Sequence, residues 1–135
     1  MIAEYNIKAH HIGCLTKSIE NSIGIYSSSL GFKTISEIYT IHDQKVKVCF
    51  VEITPSFFVE LVEPIGENPA LNKILKSGNP FYHIGYLSDR FEEDIARMVS
   101  DGFYQVNTFI SEAFLGKKCA FLYTPEMHLI ELIEK

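Results

Sequence analysis

Apolar and polar positions along the chain change period in a fixed order, and the chain runs through that order twice. Residues Ile7–Leu15 make an apolar-rich run of strand length. Ile19, Ile23, Tyr26 and Leu30 then recur at helical spacing behind Thr16 or Ser18, either of which can cap a helix. Gly31 offers the left-handed residue that ends it. β-rich runs follow at residues 32–41, 45–53 and 57–63, separated by the turn-forming His42-Asp43-Gln44 and Thr54-Pro55-Ser56. This pattern predicts a βαβββ unit. Residues 64–80, with three prolines, two glycines and three asparagines, read as a connection holding a short helical piece at residues 70–76. The order then repeats. A strand at residues 81–87 leads through Ser88-Asp89, as cap, into a helix presenting Phe91, Ile95, Met98 and Val99. Gly102 stops that helix, and strands near residues 104–110, 117–123 and 128–134 complete the second unit.

The repetition extends to particular residues. His10-His11-Ile12-Gly13-Cys14-Leu15 is echoed by Tyr82-His83-Ile84-Gly85-Tyr86-Leu87, at an offset of 72 for the histidines. At an offset of 71, Gly31-Phe32 aligns with Gly102-Phe103, and Val59-Glu60-Leu61-Val62-Glu63 with Ile130-Glu131-Leu132-Ile133-Glu134. The chain is therefore read as a tandem duplication. Its expected organisation is one domain over residues 1–135, with modules at 7–63 and 81–134 joined by 64–80. The fold class is α+β, with two tandem βαβββ modules.

A metal is inferred from the glutamates. Alternation puts Phe58, Glu60 and Val62 on one strand face and Val59 and Leu61 on the other; Leu129, Glu131 and Ile133 likewise share a face opposite Ile130 and Leu132. Neither face looks solvent-exposed before the closing Glu63 and Glu134. A carboxylate in such apolar company costs several kcal/mol unless a cation or strong donors compensate it. The only arginines, Arg90 and Arg97, fall in or beside the second helix. A histidine opening a strand is commonly a packing residue. Two histidines and two glutamates at equivalent places in both copies are more simply explained by one shared divalent ion. Two imidazole nitrogens and two carboxylate oxygens suit Ni, Co, Zn, Fe or Mn and leave coordination positions open for an oxygen ligand. The candidate ligands are His11, Glu60, His83 and Glu131. His10 aligns with Tyr82 and faces the other side of its strand; His42 and His128 have no repeat partner and are expected to be solvated or packing residues.

Composition narrows the class. The chain is long enough for a core of its own, and its net charge of -5 disfavours a nucleic-acid or anionic-membrane partner, which needs a concentrated basic surface. No apolar run approaches the ~20 residues of a membrane span, and no signal-peptide pattern opens the chain. A cytoplasmic protein is expected. Cys14, Cys49 and Cys119 sit in strand-like apolar runs, Cys49 and Cys119 near equivalent places, and read as packing thiols.

These residues, over the whole chain, resemble the vicinal oxygen chelate superfamily, which includes glyoxalase I, methylmalonyl-CoA epimerase, extradiol dioxygenases and bleomycin-resistance proteins. Residues 44–50, 59–64, 68–75 and 116–122 look most like methylmalonyl-CoA epimerases. Leu15 stands where bacterial glyoxalases I carry an arginine four residues after the first metal histidine. The resemblance implies that the two modules form a curved, partly closed mixed sheet around a metal site (a glyoxalase-like fold), in a homodimeric isomerase or epimerase with His11, Glu60, His83 and Glu131 holding one divalent metal and no other cofactor. Its reaction would be abstraction of a proton α to the carbonyl of an acyl-CoA or other thioester. Glu131 is expected as one base and Glu60 as the candidate partner if it can leave the metal, with Lys45, Lys47, Lys117 and Lys118 available to the CoA phosphates. A glyoxalase I-type isomerisation of a hemithioacetal is the alternative; a drug-binding module or an Fe(II) dioxygenase ranks lower.

Overall fold

The computed structural model describes residues 6–135, so residues 1–5 of the expected domain lie outside the described residues. The described residues divide into two compact units, one formed by His11–Tyr82 and the other by residues 6–10 together with His83–Lys135. In the first, β2 (Tyr39–Ile41), β3 (Val46–Thr54), β4 (Phe57–Pro64) and the later residues of β1 (Ile7–Leu15) lie in the order β2-β3-β4-β1. β1 runs parallel to β4, and the other pairings are antiparallel. The second unit repeats this with β5 (Phe81–Ser88), β6 (Tyr104–Ser111), β7 (Lys117–Tyr123) and β8 (Leu129–Glu134), ordered β5-β8-β7-β6 with β5 parallel to β8. A parallel pair needs a crossover, supplied in each unit by the helical segment and the antiparallel strands between its members.

In each unit the strands bury one face under that unit's helix. In the first unit Cys14, Ile19, Cys49, Val51, Val59 and Leu61 form a cluster beneath α1 (Ile19–Gly24). In the second, Ala120, Leu122, Ile130 and Leu132 pack against Phe91, Ile95 and Met98 of α3 (Phe91–Ser100). The alternation of β4 and β8 thus places Val59, Leu61, Ile130 and Leu132 toward helices. Glu60 and Glu131 are left on the opposite faces.

Several elements depart from the periodicity. The run at 32–41 is a strand only at Tyr39–Ile41, with an isolated bridge from Ile35 to Val51. Ser36 is the cause: its hydroxyl accepts the Phe50 N–H at 2.8 Å, taking a donor that a longer ladder would pair with a carbonyl. α1 stops at Gly24 and continues as a π-helical turn, Ile25–Ser29, where the Ser27 hydroxyl donates back to the Ile23 carbonyl at 2.8 Å. Ile19, Ile23 and Tyr26 reach the core as expected, whereas Leu30 remains 57% exposed. Val99 is likewise exposed on α3. Ser18 is the α1 cap, accepting the Asn21 N–H at 3.2 Å. Glu63, expected at the solvent edge, accepts the Ile19 N–H at 2.9 Å and so caps the same helix. The connection carries α2 (Pro69–Lys76). Among the described residues no helix is long and apolar enough to cross a membrane.

Ser88-Asp89 does not cap α3, whose capping position falls to Arg90 without a side-chain bond. Ser88 instead accepts the Arg90 N–H and donates to Asp94, a fully buried carboxylate on α3. Asp94 also accepts from Asn6 Nδ2 at 2.9 Å and from Arg97 Nη1 at 2.8 Å. Burial pushes its carboxyl up, but the Ser88, Arg97 and Asn6 hydrogen bonds and the Arg97 charge outweigh this and hold it below the ordinary 3.8. The ionised form is therefore favoured by folding. Its contribution is complete above the unfolded value and fades as pH falls through the lower folded value. Asp94→Ala should cost about 3 kcal/mol in urea unfolding at neutral pH, since it removes bonds to a buried charge. That cost should shrink when the measurement is moved well below pH 3.8. Equal stability of variant and wild type at pH 7 would show that this network adds nothing.

Candidate functional site

In the first unit, β1 and β4 bring His11 and Glu60 together, with Nε2 and Oε1 3.4 Å apart. In the second, β5 and β8 do the same for His83 and Glu131 at 3.2 Å. All four residues are buried, and no lysine or arginine is buried among the described residues. Each offers one atom able to bind a metal. The separations fit that chemistry, because two atoms each about 2.1 Å from one ion, at angles between square and tetrahedral, lie about 3.0–3.4 Å apart. The separation within each pair is thus one that neighbouring ligands of a divalent cation could have.

Register explains how each carboxylate reaches its histidine. Gly13 lies opposite Glu60 in the β1–β4 ladder, and Gly85 lies opposite Glu131 in the β5–β8 ladder. Neither glycine is among the residues with positive φ, so the backbone does not require glycine at either place. What glycine supplies is the missing side chain, which leaves the carboxylate room to lean over the neighbouring strand toward the histidine two residues earlier. On the other flank stand Phe50 opposite Glu60 and Phe121 opposite Glu131. Gly85→Val should therefore leave the fold intact by far-UV circular dichroism while weakening divalent-metal affinity roughly tenfold or more, as losses of ligand orientation do. An unchanged affinity in titration calorimetry would remove this role for the glycine.

The histidines that have no repeat partner sit elsewhere. His42 and His128 are exposed, the first in a 3-10 turn. His10 is half-buried and meets the Phe114 ring edge-on at 5.4 Å. The cysteines are all buried. Burial, assisted by the Glu60 charge, pushes the Cys14 thiol up to about 11, so it is neutral at physiological pH and serves packing. Burial also raises the Cys49 thiol, against a smaller lowering by the Ser36 hydrogen bond. Cys49 and Cys119 are one register apart, opposite Leu61 and Ile133, so they occupy different sheet faces.

The lysine group divides. Lys118 Nζ is 3.0 Å from Glu92 Oε1 on α3, and this hydrogen bond and charge, with Glu134, raise its pKa. Lys47 lies on the helix side of β3, where it lines a surface cavity of about 320 Å³ with Lys17, Ser18, Ile38 and Glu63. Lys45 and Lys117 are exposed, Lys45 in left-handed conformation at the turn into β3. Lys47 and Lys118 therefore stand apart from the sheet faces that carry the His–Glu pairs.

Comparisons with known proteins agree with this architecture. A search of curated proteins gives no match. Among solved structures, the hypothetical protein BH1468 from Bacillus halodurans C-125 is 29% identical, over 97% of this chain and 96% of that one, with a TM-score of 0.84. Methylmalonyl-CoA epimerase from Mycobacterium tuberculosis is 18% identical, over 99% of this chain and 92% of that one, with a TM-score of 0.83. A Streptomyces coelicolor methylmalonyl-CoA epimerase, solved with 2-nitronate-propionyl-CoA, is 22% identical over 95% and 96% of the two chains, with a TM-score of 0.80. The two epimerases share the fold. The sequence model of one family matches residues 10–121, most of the chain and including His11, Glu60 and His83, and the chain therefore belongs to the Glyoxalase/Bleomycin resistance protein/Dioxygenase superfamily.

Proposed function

We propose that the chain is a metal-dependent epimerase that abstracts a proton α to the carbonyl of an acyl thioester, with His11, Glu60, His83 and Glu131 together holding one divalent ion. The observation that carries this reading is the duplicated, buried His–Glu pair, at 3.4 Å in one unit and 3.2 Å in the other. Two buried carboxylates, each beside a histidine and with no lysine or arginine buried among the described residues, suit a cation, and two His–Glu half-sites meet the needs of a single ion. A bound divalent ion supplies a Lewis acid that stabilises negative charge developing on the substrate carbonyl oxygen.

The remaining work belongs to side chains. Glu131, as the carboxylate, takes the α-proton, and Glu60, entering the step protonated and so released from the metal, returns one to the opposite face, which inverts the carbon. The imidazoles of His11 and His83, each beside its glutamate, fix where the two carboxylates lie. The phenylalanines opposite the glutamates keep bulk water from the carboxylates, which protects the carbanionic intermediate from stray protonation. The acyl-CoA assignment is supported by the epimerase likeness, including a structure solved with methylmalonyl-CoA, and by the absence of an arginine at Leu15.

The test is exchange of the α-proton of methylmalonyl-CoA in D₂O with metal-loaded protein, run beside isomerisation of a glutathione hemithioacetal. Deuterium incorporation into the thioester alone is the expected result. Isomerisation alone would replace the epimerase reading with the glyoxalase one, and silence in both assays would overturn the enzyme reading for these substrates.

A further inference from the structure

The repeated constellation contains a further member. Phe50 and Phe121 are separated by 71 residues, as are Glu60 and Glu131, and each lies directly across the ladder from its glutamate. Each is buried. The Phe50 ring meets His11 edge-on, with centroids 5.8 Å apart and planes at 72°. The Phe121 ring meets His83 in the same way, at 5.1 Å and 80°. One aromatic ring therefore borders both members of each His–Glu pair.

The rings are themselves supported, and here the copies differ. Phe121 is stacked on Phe109 of β6, with centroids 5.5 Å apart and planes at 22°. Phe50 is met edge-on by Phe58, at 6.0 Å and 79°. Phe109 is buried, whereas Phe58 is only half-buried. The ring beside His83 is thus stacked on a buried neighbour, whereas the ring beside His11 meets a half-buried one edge-on.

We propose that Phe50 and Phe121 are positioning residues for metal capture: each presses its imidazole into one plane and confines the adjacent carboxylate to the flank that glycine leaves open. Phe121, with its stacked support, sets the more rigid half of the site. This rests on the assignment of the two His–Glu pairs as ligands. An edge-on ring restricts rotation of the imidazole plane, and a ligand that must reorient on binding gives weaker affinity than one already in place. The asymmetry makes His83 the preformed half and His11 the half that adjusts.

The experiment is titration of the full chain with Co²⁺ alone, followed by the visible d–d absorption and by calorimetry, for wild type, Phe121→Leu and Phe50→Leu. Leucine keeps the apolar contact but removes the ring edge. The expected result is a Co²⁺ affinity lower by about tenfold in Phe121→Leu, a smaller loss in Phe50→Leu, and a d–d spectrum altered in both. Phe109→Leu, which leaves the site-bordering ring in place, should reproduce part of the Phe121→Leu effect and serves if that variant does not fold. A purely structural role would lower Tm without moving the spectrum. Co²⁺ binding to wild type with unchanged affinity and spectrum in the leucine variants overturns the positioning role alone, and failure of wild type to bind Co²⁺ overturns the ligand assignment with it.

Discussion

Glu131→Gln should slow α-proton exchange from methylmalonyl-CoA by about 10²–10⁴-fold, the range that a positioned general base contributes. Glutamine keeps the length and one oxygen of glutamate, so a metal can still be held, but it cannot accept a proton. Metal content should therefore fall much less than activity. The Glu60→Gln variant divides the two proton transfers. If Glu60 serves the opposite face, exchange from one enantiomer of the thioester should survive better than from the other, while epimerisation is lost from both. Exchange from both enantiomers at the wild-type rate in Glu131→Gln would rule out that carboxylate as a base.

Removing the metal should lower Tm by about 10 °C relative to protein kept at a hundredfold excess of free ion over Kd. Binding at that excess adds about 2.7 kcal/mol to the folded state, which for a chain of this size moves the transition by several degrees per kcal/mol. The same scan tests whether both pairs serve one ion. Loss of either His11 or His83 as alanine should abolish most of the shift, and wild type should bind one ion per chain. Two ions per chain, or a full shift retained in either variant, would sink the shared site.

The pairs were legible in the sequence because four chemically distinctive residues recur at matching offsets, and because a carboxylate on a buried strand face demands an explanation. Phe50 and Phe121 were not, although they recur at the same offset. The eye aligns Cys49 with Cys119, which sets Phe50 against Ala120, and in a strand a slip of one residue exchanges the two faces. Only the register opposite Glu60 and Glu131 restores the match. Gly13 and Gly85 were visible as letters of the repeat, but their use depends on which residue lies across the ladder.

The fold shows the same division. Strands and helices followed from period, whereas their ends followed from side-chain hydrogen bonds that period does not report. Ser36 shortened one strand, Ser27 loosened one helix, and Glu63 capped that helix from a strand distant in sequence. Lys45 and Leu115 adopt left-handed φ of 53° and 57° without being glycine, so composition does not mark them as the left-handed positions of their turns.

The bond from Asn6 to Asp94 joins residues 88 apart in sequence, and Ile7 packs against the core of the second unit. During synthesis, His11–Tyr82 can gather its strands as soon as it has emerged, but the segment ahead of it has no place to settle until α3 has been made. Asn6 and Ile7, made before His11–Tyr82, are thus among the last to find their native contacts. This long-range closure belongs late in folding, where it slows completion rather than collapse.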